Sequence, residues 1–221
     1  MSWISNLFTS SIGRKLIMSL TGLFFVVFLL VHLIGNLQLL HADGGNAFNH
    51  YAEFMAHNGL IQGMSWVMKF LFGLHAVQGL ILWRQNATAK GQKYAVKVTN
   101  NTTFAGRNMI WLGILLLVFL VLHMGDFWFQ MHYGDLGELD GVKDLAKLVA
   151  IKFSSPIYVG WYVFSMIVLG IHLWHGFDSA FQTLGARHPK YDGLVSGLGK
   201  FFAIALALGF AIIPILMFIN H

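Results

Sequence analysis

The sequence predicts an all-α integral membrane bundle of five transmembrane helices, and three observations support this fold class. First, 57% of the 221 residues are hydrophobic and only 10% are charged. Because a soluble domain usually carries about 25% charged residues, this chain has too few charges to cover a water-facing surface. Second, the apolar residues fall into five runs, each near the ~20 residues that a bilayer span needs. Third, five such spans with short loops use nearly the whole length, which predicts a single transmembrane domain over residues 1–221.

The five predicted spans follow one another along the chain. Each begins or ends near basic residues or tryptophan, which are typical of membrane interfaces. The predicted spans cover residues 16–40, 64–83, 108–131, 156–181 and 200–220.

The residue patterns of three connections between the spans predict their structure or surroundings. Residues 46–57 and 140–153 have amphipathic spacing, which predicts two short helices lying along the membrane interface. The loop at residues 85–101 is polar and basic, and we expect it to face a partner protein or lipid.

The basic residues predict that the N-terminus is cytoplasmic and the C-terminus lies outside. With that orientation, ten of the fourteen basic residues fall in cytoplasmic segments, as the positive-inside rule requires. Their scatter at span ends also argues against nucleic-acid binding, despite the net charge of +5. The cytoplasmic basic residues are Arg14, Lys15, Arg84, Lys90, Lys93, Lys97, Arg107, Arg187, Lys190 and Lys200.

The sequence contains no cysteine. This excludes thiolate-held iron–sulfur clusters and the covalent attachment of c-type haem. The apolar stretch near the N-terminus runs on to about Leu40, which is too long for a cleavable signal peptide.

Four of the five spans carry a histidine well inside the apolar run, namely His32, His75, His123 and His172. Ionisable residues within spans are rare, costly and usually functional. Imidazole is a common axial ligand of haem iron, and two imidazoles on facing helices can hold one macrocycle. His175 competes with His172, because it lies three residues later on the same side of the helix.

Helix rise sorts these histidines into two levels. At 1.5 Å per residue, His32 and His123 lie roughly 24 Å from the inner membrane edge. His75 and His172 lie roughly 13–15 Å from it, so the levels are about 10 Å apart. We call His32 and His123 the outer pair, and His75 and His172 the inner pair. Each pair is predicted to ligate one b-type haem.

Glycines repeat the same division. Gly79 and Gly176 each follow an inner histidine by four residues, and Gly22 and Gly113 each precede an outer histidine by ten. Ten residues of helix rise about 15 Å, which places Gly22 and Gly113 near the inner level. A glycine lets a flat ring approach the backbone, although any single glycine can simply aid helix packing. The spacing favours His172 over its competitor.

Motifs in all four histidine-bearing spans resemble one family. They are GRKLIMSLTGLF before HLIGN in the first span, HAVQG in the second, HMGD in the third, and SSPIYVGWYVF followed by HLWHG in the fourth. In this order they resemble the five-helix dihaem cytochrome b anchor of succinate:quinone oxidoreductases, the succinate dehydrogenases and fumarate reductases with a single anchor subunit. The resemblance covers nearly the whole chain, and it implies axial ligation by His32, His75, His123 and His172.

The resemblance implies a multi-pass subunit of the bacterial inner (cytoplasmic) membrane, acting in the respiratory chain and the tricarboxylic acid cycle. A flavoprotein subunit and an iron–sulfur subunit are expected on the cytoplasmic face. Electrons would pass between succinate, flavin, iron–sulfur clusters, two haems and a membrane quinone, with menaquinone the expected quinone. The chain is thus expected to serve as the non-flavin subunit of an enzyme.

Two further sets of residues follow from the proposed chemistry. Quinone reduction moves protons as well as electrons, so a titratable group is expected at the outer end. Haem propionates need cationic or hydroxyl partners, which we expect at the inner end. For every residue in both sets, an ordinary interfacial role is an open alternative. The quinone or proton-handling candidates are Glu53, His50 and Asp126, and the propionate candidates are Arg14, Lys15, Ser19, Thr21 and Arg107.

Two other functions remain open on sequence. One is a dihaem cytochrome b anchor of a different respiratory complex, such as a hydrogenase or formate dehydrogenase. The other is a proton-coupled transporter whose histidines form a relay. The sequence has no inverted repeat, buried carboxylate pair or Gly/Pro-broken span pair, and these features would favour transport.

Overall fold

The structure, a computed structural model, describes residues 7–89 and 104–220, and these are mostly helical. A 3-10 turn at Leu37–Leu40 extends the first helix, and a π-helical turn at Met124–Phe129 joins the fourth to the fifth. Two short strands, β1 Glu138–Leu139 and β2 Val142–Lys143, pair as an antiparallel hairpin. The helices are α1 Ser11–Asn36, α2 Asn46–His57, α3 Gly59–Ala89, α4 Phe104–His123, α5 Gln130–Tyr133, α6 Leu145–Phe153, α7 Pro156–Thr183 and α8 Asp192–Ile219.

In the part of the chain that the structure describes, five helices are long and apolar enough to cross a membrane, which confirms the predicted number of spans. They are longer than predicted, and the fifth begins at Asp192 instead of residue 200. Hydropathy marks only the part that crosses hydrocarbon, whereas backbone hydrogen bonding continues each helix into its polar flanks. The spans are Ser11–Leu40, Gly59–Thr88, Phe104–Tyr133, Pro156–Thr183 and Asp192–Ile219.

The predicted loop at 85–101 is only partly within the described residues. Its first five residues are the helical end of α3. Lys90, Lys93 and Lys97 lie outside the described residues. Which end of the bundle faces the cytoplasm stays a prediction from the basic residues.

Local contacts fix several helix ends. The Ser10 hydroxyl oxygen accepts a hydrogen bond from the Gly13 N–H at 3.0 Å and caps the start of α1. Pro156 occupies the first turn of α7, where its missing N–H costs no hydrogen bond. The Lys143 Nζ donates to the Met131 and Gly134 carbonyls at 2.9 and 3.2 Å, closing the helix that ends at α5.

The four histidine-bearing helices form a ring in which each packs against two neighbours. Around this ring α1 contacts α3, α3 contacts α4, α4 contacts α7, and α7 contacts α1. Therefore α1 lies diagonally opposite α4, and α3 lies diagonally opposite α7. Helix α8 carries no histidine in the described part of the chain, and it packs outside the ring against α7 and α1.

The helices α2 and α6 and the hairpin cover one end of the bundle, which we call the outer end. Helix α2 occupies the predicted residues, whereas the predicted helix at 140–153 is wrong in its first five residues. Asp140 and Gly141 have positive φ of 52° and 80° and form the two-residue turn of the hairpin. Asp-Gly is a strong signal for such a turn. The helix starts only after Asp144, whose carboxylate accepts from the Lys147 N–H at 3.1 Å.

Asn49 links α2 to α6 at this end, and its side chain is fully buried. Its Nδ2 donates to Asp144 Oδ1 at 2.9 Å, and its Oδ1 accepts from the Ala146 N–H at 2.8 Å. The link is surrounded by an apolar cluster that includes Phe48, Val149 and Phe153. The outer end is therefore a packed cap on the helix ring.

Candidate cofactor site

The outer pair spans the diagonal between α1 and α4. The ring centroids of His32 and His123 are 5.8 Å apart, and the ring planes are nearly perpendicular at 87°. A metal–imidazole bond of about 2 Å on each side would place two ring centroids roughly 6 Å apart. The two side chains can therefore ligate one metal from opposite sides.

Phenyl rings hold both outer histidines in place. Phe28 stacks on His32 with centroids 5.3 Å apart, and Phe119 stacks on His123 at 5.5 Å. Each phenylalanine precedes its histidine by four residues, so both occupy the same helix face. Phe210 of α8 lies 5.7 Å from His32 and covers it from the side.

The inner pair spans the other diagonal, between α3 and α7. His75 lies on α3 and His172 on α7, the two helices of this diagonal. Phe25 packs edge-on to His75 at 5.4 Å, and Phe25 itself stacks on Phe72 at 4.1 Å. The structure thus places His32 beside His123 and puts His75 and His172 on the two helices of the other diagonal, and their roles as ligands stay predictions.

Hydroxyl groups contact the Nδ1 atom of one histidine in each pair. Thr21 Oγ1 lies 2.8 Å from His75 Nδ1, and its own hydrogen is donated to the Ile17 carbonyl at 2.7 Å. The Thr21 oxygen therefore accepts from the His75 Nδ1–H, which leaves the Nε2 lone pair for a metal. The Tyr162 hydroxyl lies 3.2 Å from His123 Nδ1.

The other histidine of each pair has different surroundings. The Asn36 Nδ2 donates to the His32 carbonyl at 2.8 Å and lies 3.3 Å from His32 Nδ1. The Nδ1 atom of His172 is buried and has no hydrogen-bond partner among the described residues. A buried nitrogen of this kind needs an explanation, and a ligand site is one.

Two of the four glycines singled out by their spacing, Gly22 and Gly113, face the inner histidines. A Cβ atom on Gly22 would lie 3.6 Å from His75 Cε1, and one on Gly113 would lie 3.8 Å from His172 Cε1. Gly79 and Gly176 instead face the methyl groups of methionines. At Gly22 and Gly113 the missing side chain thus lets the helix backbone lie close to the Cε1 edges of the inner imidazoles.

A parallel internal repeat relates the two halves of the site, and sequence reasoning missed it. Four residues of α1 recur in α4, each 91 residues later, and two of α3 recur in α7, each 97 residues later. Both histidine pairs therefore join equivalent positions of two similar helix pairs. The equivalent residues are Met18 and Met109, Gly22 and Gly113, Phe28 and Phe119, His32 and His123, His75 and His172, and Gly79 and Gly176.

The donor set fits a haem. Across residues 7–89 and 104–220, no cluster of three or more histidine, aspartate or glutamate side chains could hold a metal ion. Each site instead offers two imidazoles, which suits a metal whose remaining positions are filled by a macrocycle. His175 lies three residues after His172 on α7, so the competing ligand lies on the same side of that helix.

The predicted quinone and proton-handling residues all lie at the outer end. Asp126, in the π-helical turn after His123, accepts hydrogen bonds from Lys152 and Tyr158. Glu53 pairs with His57 at 3.0 Å, and its Oε2 is buried without a partner in the described structure. His50 is exposed. Of the three, Asp126 is linked to the outer pair through the two neighbouring tyrosines, and the functional roles stay predictions.

The predicted propionate partners lie within the first three turns of α1 and the first turn of α4, and one of them contacts a predicted ligand. Thr21 is that residue. The Ser19 hydroxyl donates to the Lys15 carbonyl at 2.9 Å, and Arg14 Nε donates to the Phe8 carbonyl at 2.9 Å. One terminal nitrogen of Arg14 is buried and lacks a partner in the described residues. The Lys15 and Arg107 side chains are exposed.

Three groups outside the spans have shifted pKa values. Hydrogen bonds from the Ala47 and Gly45 N–H groups lower the pKa of Asp43. Burial raises the pKa of Tyr51, which fills the gap left by Gly35 and docks α2 on α1. The hydrogen bond to Asp192 raises the pKa of Arg187.

No protein-family model, no curated protein and no solved structure matches this chain. The family resemblance therefore stays a prediction from the motifs. The functional proposal rests on the arrangement of the histidines and their neighbours.

Proposed function

We propose that this chain is the membrane-anchor cytochrome b subunit of a succinate:quinone oxidoreductase. It would pass electrons between an iron–sulfur subunit and membrane quinone. The observation that carries the proposal is the arrangement of the four histidines. They form two pairs, and each pair is divided between two diagonally opposite helices of the same four-helix ring. His32 and His123 would hold the outer haem, and His75 and His172 the inner one. A b-type haem supplies reversible one-electron chemistry when bound.

The chain's own residues orient the ligands. Thr21 and Tyr162 each contact an Nδ1 atom, which directs the opposite Nε2 into the site. Phe28 and Phe119 restrict the rotation of the outer rings by stacking on them. Such support from neighbouring residues is worth about 10–100-fold in metal affinity at characterised sites.

The two ends of the bundle suit different partners in this proposal. The basic residues predict that the end carrying the start of α1 is cytoplasmic, where the flavoprotein and iron–sulfur subunits would bind. The outer end carries Glu53, His50 and Asp126, which would serve a quinone in this proposal, with menaquinone the proposed substrate. The proposed location is the bacterial inner membrane.

The test is to purify the chain with its native partners and identify them. We expect a flavoprotein and an iron–sulfur protein, succinate–quinone activity, and two b-type haems per chain in a pyridine haemochrome assay. Two haems together with a hydrogenase or formate dehydrogenase partner would replace this proposal with the other redox anchor. A chain that purifies folded without haem would overturn both and favour the transporter.

A further inference from the structure

A charged pair lies next to the outer histidines. Lys152 Nζ is 2.6 Å from Asp126 Oδ1, and the Tyr158 hydroxyl donates to Asp126 Oδ2. The side chains of Lys152 and Asp126 are only 34% and 21% exposed. Charges covered to this degree are weakly screened by solvent, so they act on groups around them.

Tyr158 connects this charged pair to the outer site. Its ring stacks on Tyr162 with centroids 5.3 Å apart and an interplanar angle of 27°. Tyr162 is 7% exposed, and the rings of Phe119 and Phe153 also contact it at 5.0 Å. Its position is thus fixed from several sides, and its hydroxyl lies on His123 Nδ1 at 3.2 Å.

Three segments build this arrangement. The π-helical turn that follows His123 carries Asp126, α6 carries Lys152, and α7 carries both tyrosines. Single π-helical turns are rare and are frequently found at functional sites. Side chains from these three segments are connected through Tyr162 to one imidazole nitrogen, His123 Nδ1. This connection points to a role at the outer site beyond packing.

We propose that Tyr162 is a positioning residue that lowers the midpoint potential of the haem held by the outer pair. This inference rests on the proposed function. With His123 Nε2 on the iron, Nδ1 carries the proton and donates it in a hydrogen bond to the Tyr162 oxygen. That hydrogen bond makes the imidazole a stronger electron donor, which stabilises the more positive, oxidised iron.

The Asp126–Lys152 pair adds two opposing electrostatic effects. The carboxylate stabilises the oxidised state of the outer haem, and the ammonium destabilises it. Removing one charge leaves the other unbalanced. Asp126→Asn should therefore raise the outer midpoint potential, and Lys152→Gln should lower it.

The experiment is a spectroscopic redox titration of the complex purified with its partners. The Tyr162→Phe variant should retain two haems. Its outer midpoint potential should rise by ~59 mV, which is a tenfold change in the one-electron redox equilibrium constant. The inner potential should not move. His123→Ala identifies which titration step belongs to the outer haem. Tyr191→Phe, a tyrosine stacked on His188 away from both pairs, is the matched control and should move neither potential.

The inference would be overturned if the Tyr162→Phe variant keeps both haems and the redox equilibrium constant of the outer haem changes by less than twofold. Loss of the outer haem from this variant would also overturn it, because a packing role of Tyr162 would then account for the contact. Shifts of the same sign in Asp126→Asn and Lys152→Gln would overturn the two opposing charge effects. A wild-type complex without haem would instead overturn the proposed function, so the two failures are distinguishable.

Discussion

The two histidine pairs share a plan but differ in what surrounds them. Each joins diagonal helices and has one histidine whose Nδ1 contacts a hydroxyl. At the inner pair that hydroxyl, Thr21, is tied to the backbone of its own helix, and glycines face the imidazole edges. At the outer pair the hydroxyl, Tyr162, leads through aromatic contacts to the charged groups of Asp126 and Lys152.

This difference separates two ways of building a site in a membrane. The inner pair is supported from within the spans, by close helix packing and by the Thr21 hydroxyl. The outer pair also depends on α6 and the π-helical turn, which lie at the bundle end. Changes at the outer end should therefore leave the inner site intact, and changes beside the inner imidazoles should leave the outer site intact.

The largest expected effect comes from filling the space beside an inner imidazole. Gly22→Leu should remove the inner haem and retain the outer one, because the added side chain enters the volume next to His75. The measurement is haem content per chain with resolved redox steps. Gly73→Leu is the matched control, since a Cβ atom there meets nothing within 4 Å. Loss of both haems in Gly22→Leu alone would contradict the independence of the two sites.

Removing the inner hydroxyl should have a smaller effect on the same site. Thr21→Val keeps the shape of the side chain but removes the oxygen that accepts from His75 Nδ1. We expect haem to be held roughly 10–100-fold more weakly at the inner site. Haem transfer to an acceptor protein measures this. Ser165→Ala, which removes a buried hydroxyl that donates to its own helix backbone, should not change the transfer rate.

Removing the Asn49 hydrogen bonds should destabilise the outer cap without affecting the inner site. Asn49→Ala leaves the buried Ala146 N–H without its acceptor, which should cost about 1–3 kcal/mol of local stability. Hydrogen exchange should rise in α2 and α6 and stay unchanged beside the inner pair. The exposed neighbour His50→Ala is the control. If the Asn49→Ala substitution increases hydrogen exchange in α3 as much as in α6, the cap is not stabilised separately from the inner site.

The smallest expected effect is a pH dependence at the start of α2. Hydrogen bonds from two N–H groups lower the pKa of Asp43, so its carboxylate stabilises the folded turn above its unfolded pKa. That contribution is lost as the pH falls through the lower folded pKa, below about 4. Exchange of the Ala47 N–H should therefore become less protected in this range. Asp43→Asn should flatten the dependence, and an unchanged profile would contradict it.

Much of this architecture could be predicted from the sequence, because long apolar runs determine the spans and helix rise determines depth. Those two quantities alone led to the pairing of His32 with His123 and of His75 with His172. The 91- and 97-residue repeat was also present in the sequence, and a search at parallel rather than inverted spacing would have found it.

Other features depend on information that periodicity does not carry. The contacts of Thr21 and Tyr162 depend on how each helix is rotated within the ring. The π-helical turn after His123 has no apolar pattern of its own. The hairpin at Asp140 does have a sequence signal, because Asp-Gly favours a two-residue turn, but the amphipathic spacing around it predicts a helix.

Haem content in matched single-ligand variants tests the central claim most directly. A pyridine haemochrome assay should give two b-type haems per wild-type chain and one in either His123→Ala or His75→Ala. Redox titration should show that the two variants retain different haems. A folded wild-type chain without haem, or an unchanged count in both variants, would contradict the assignment of two haems to these two pairs.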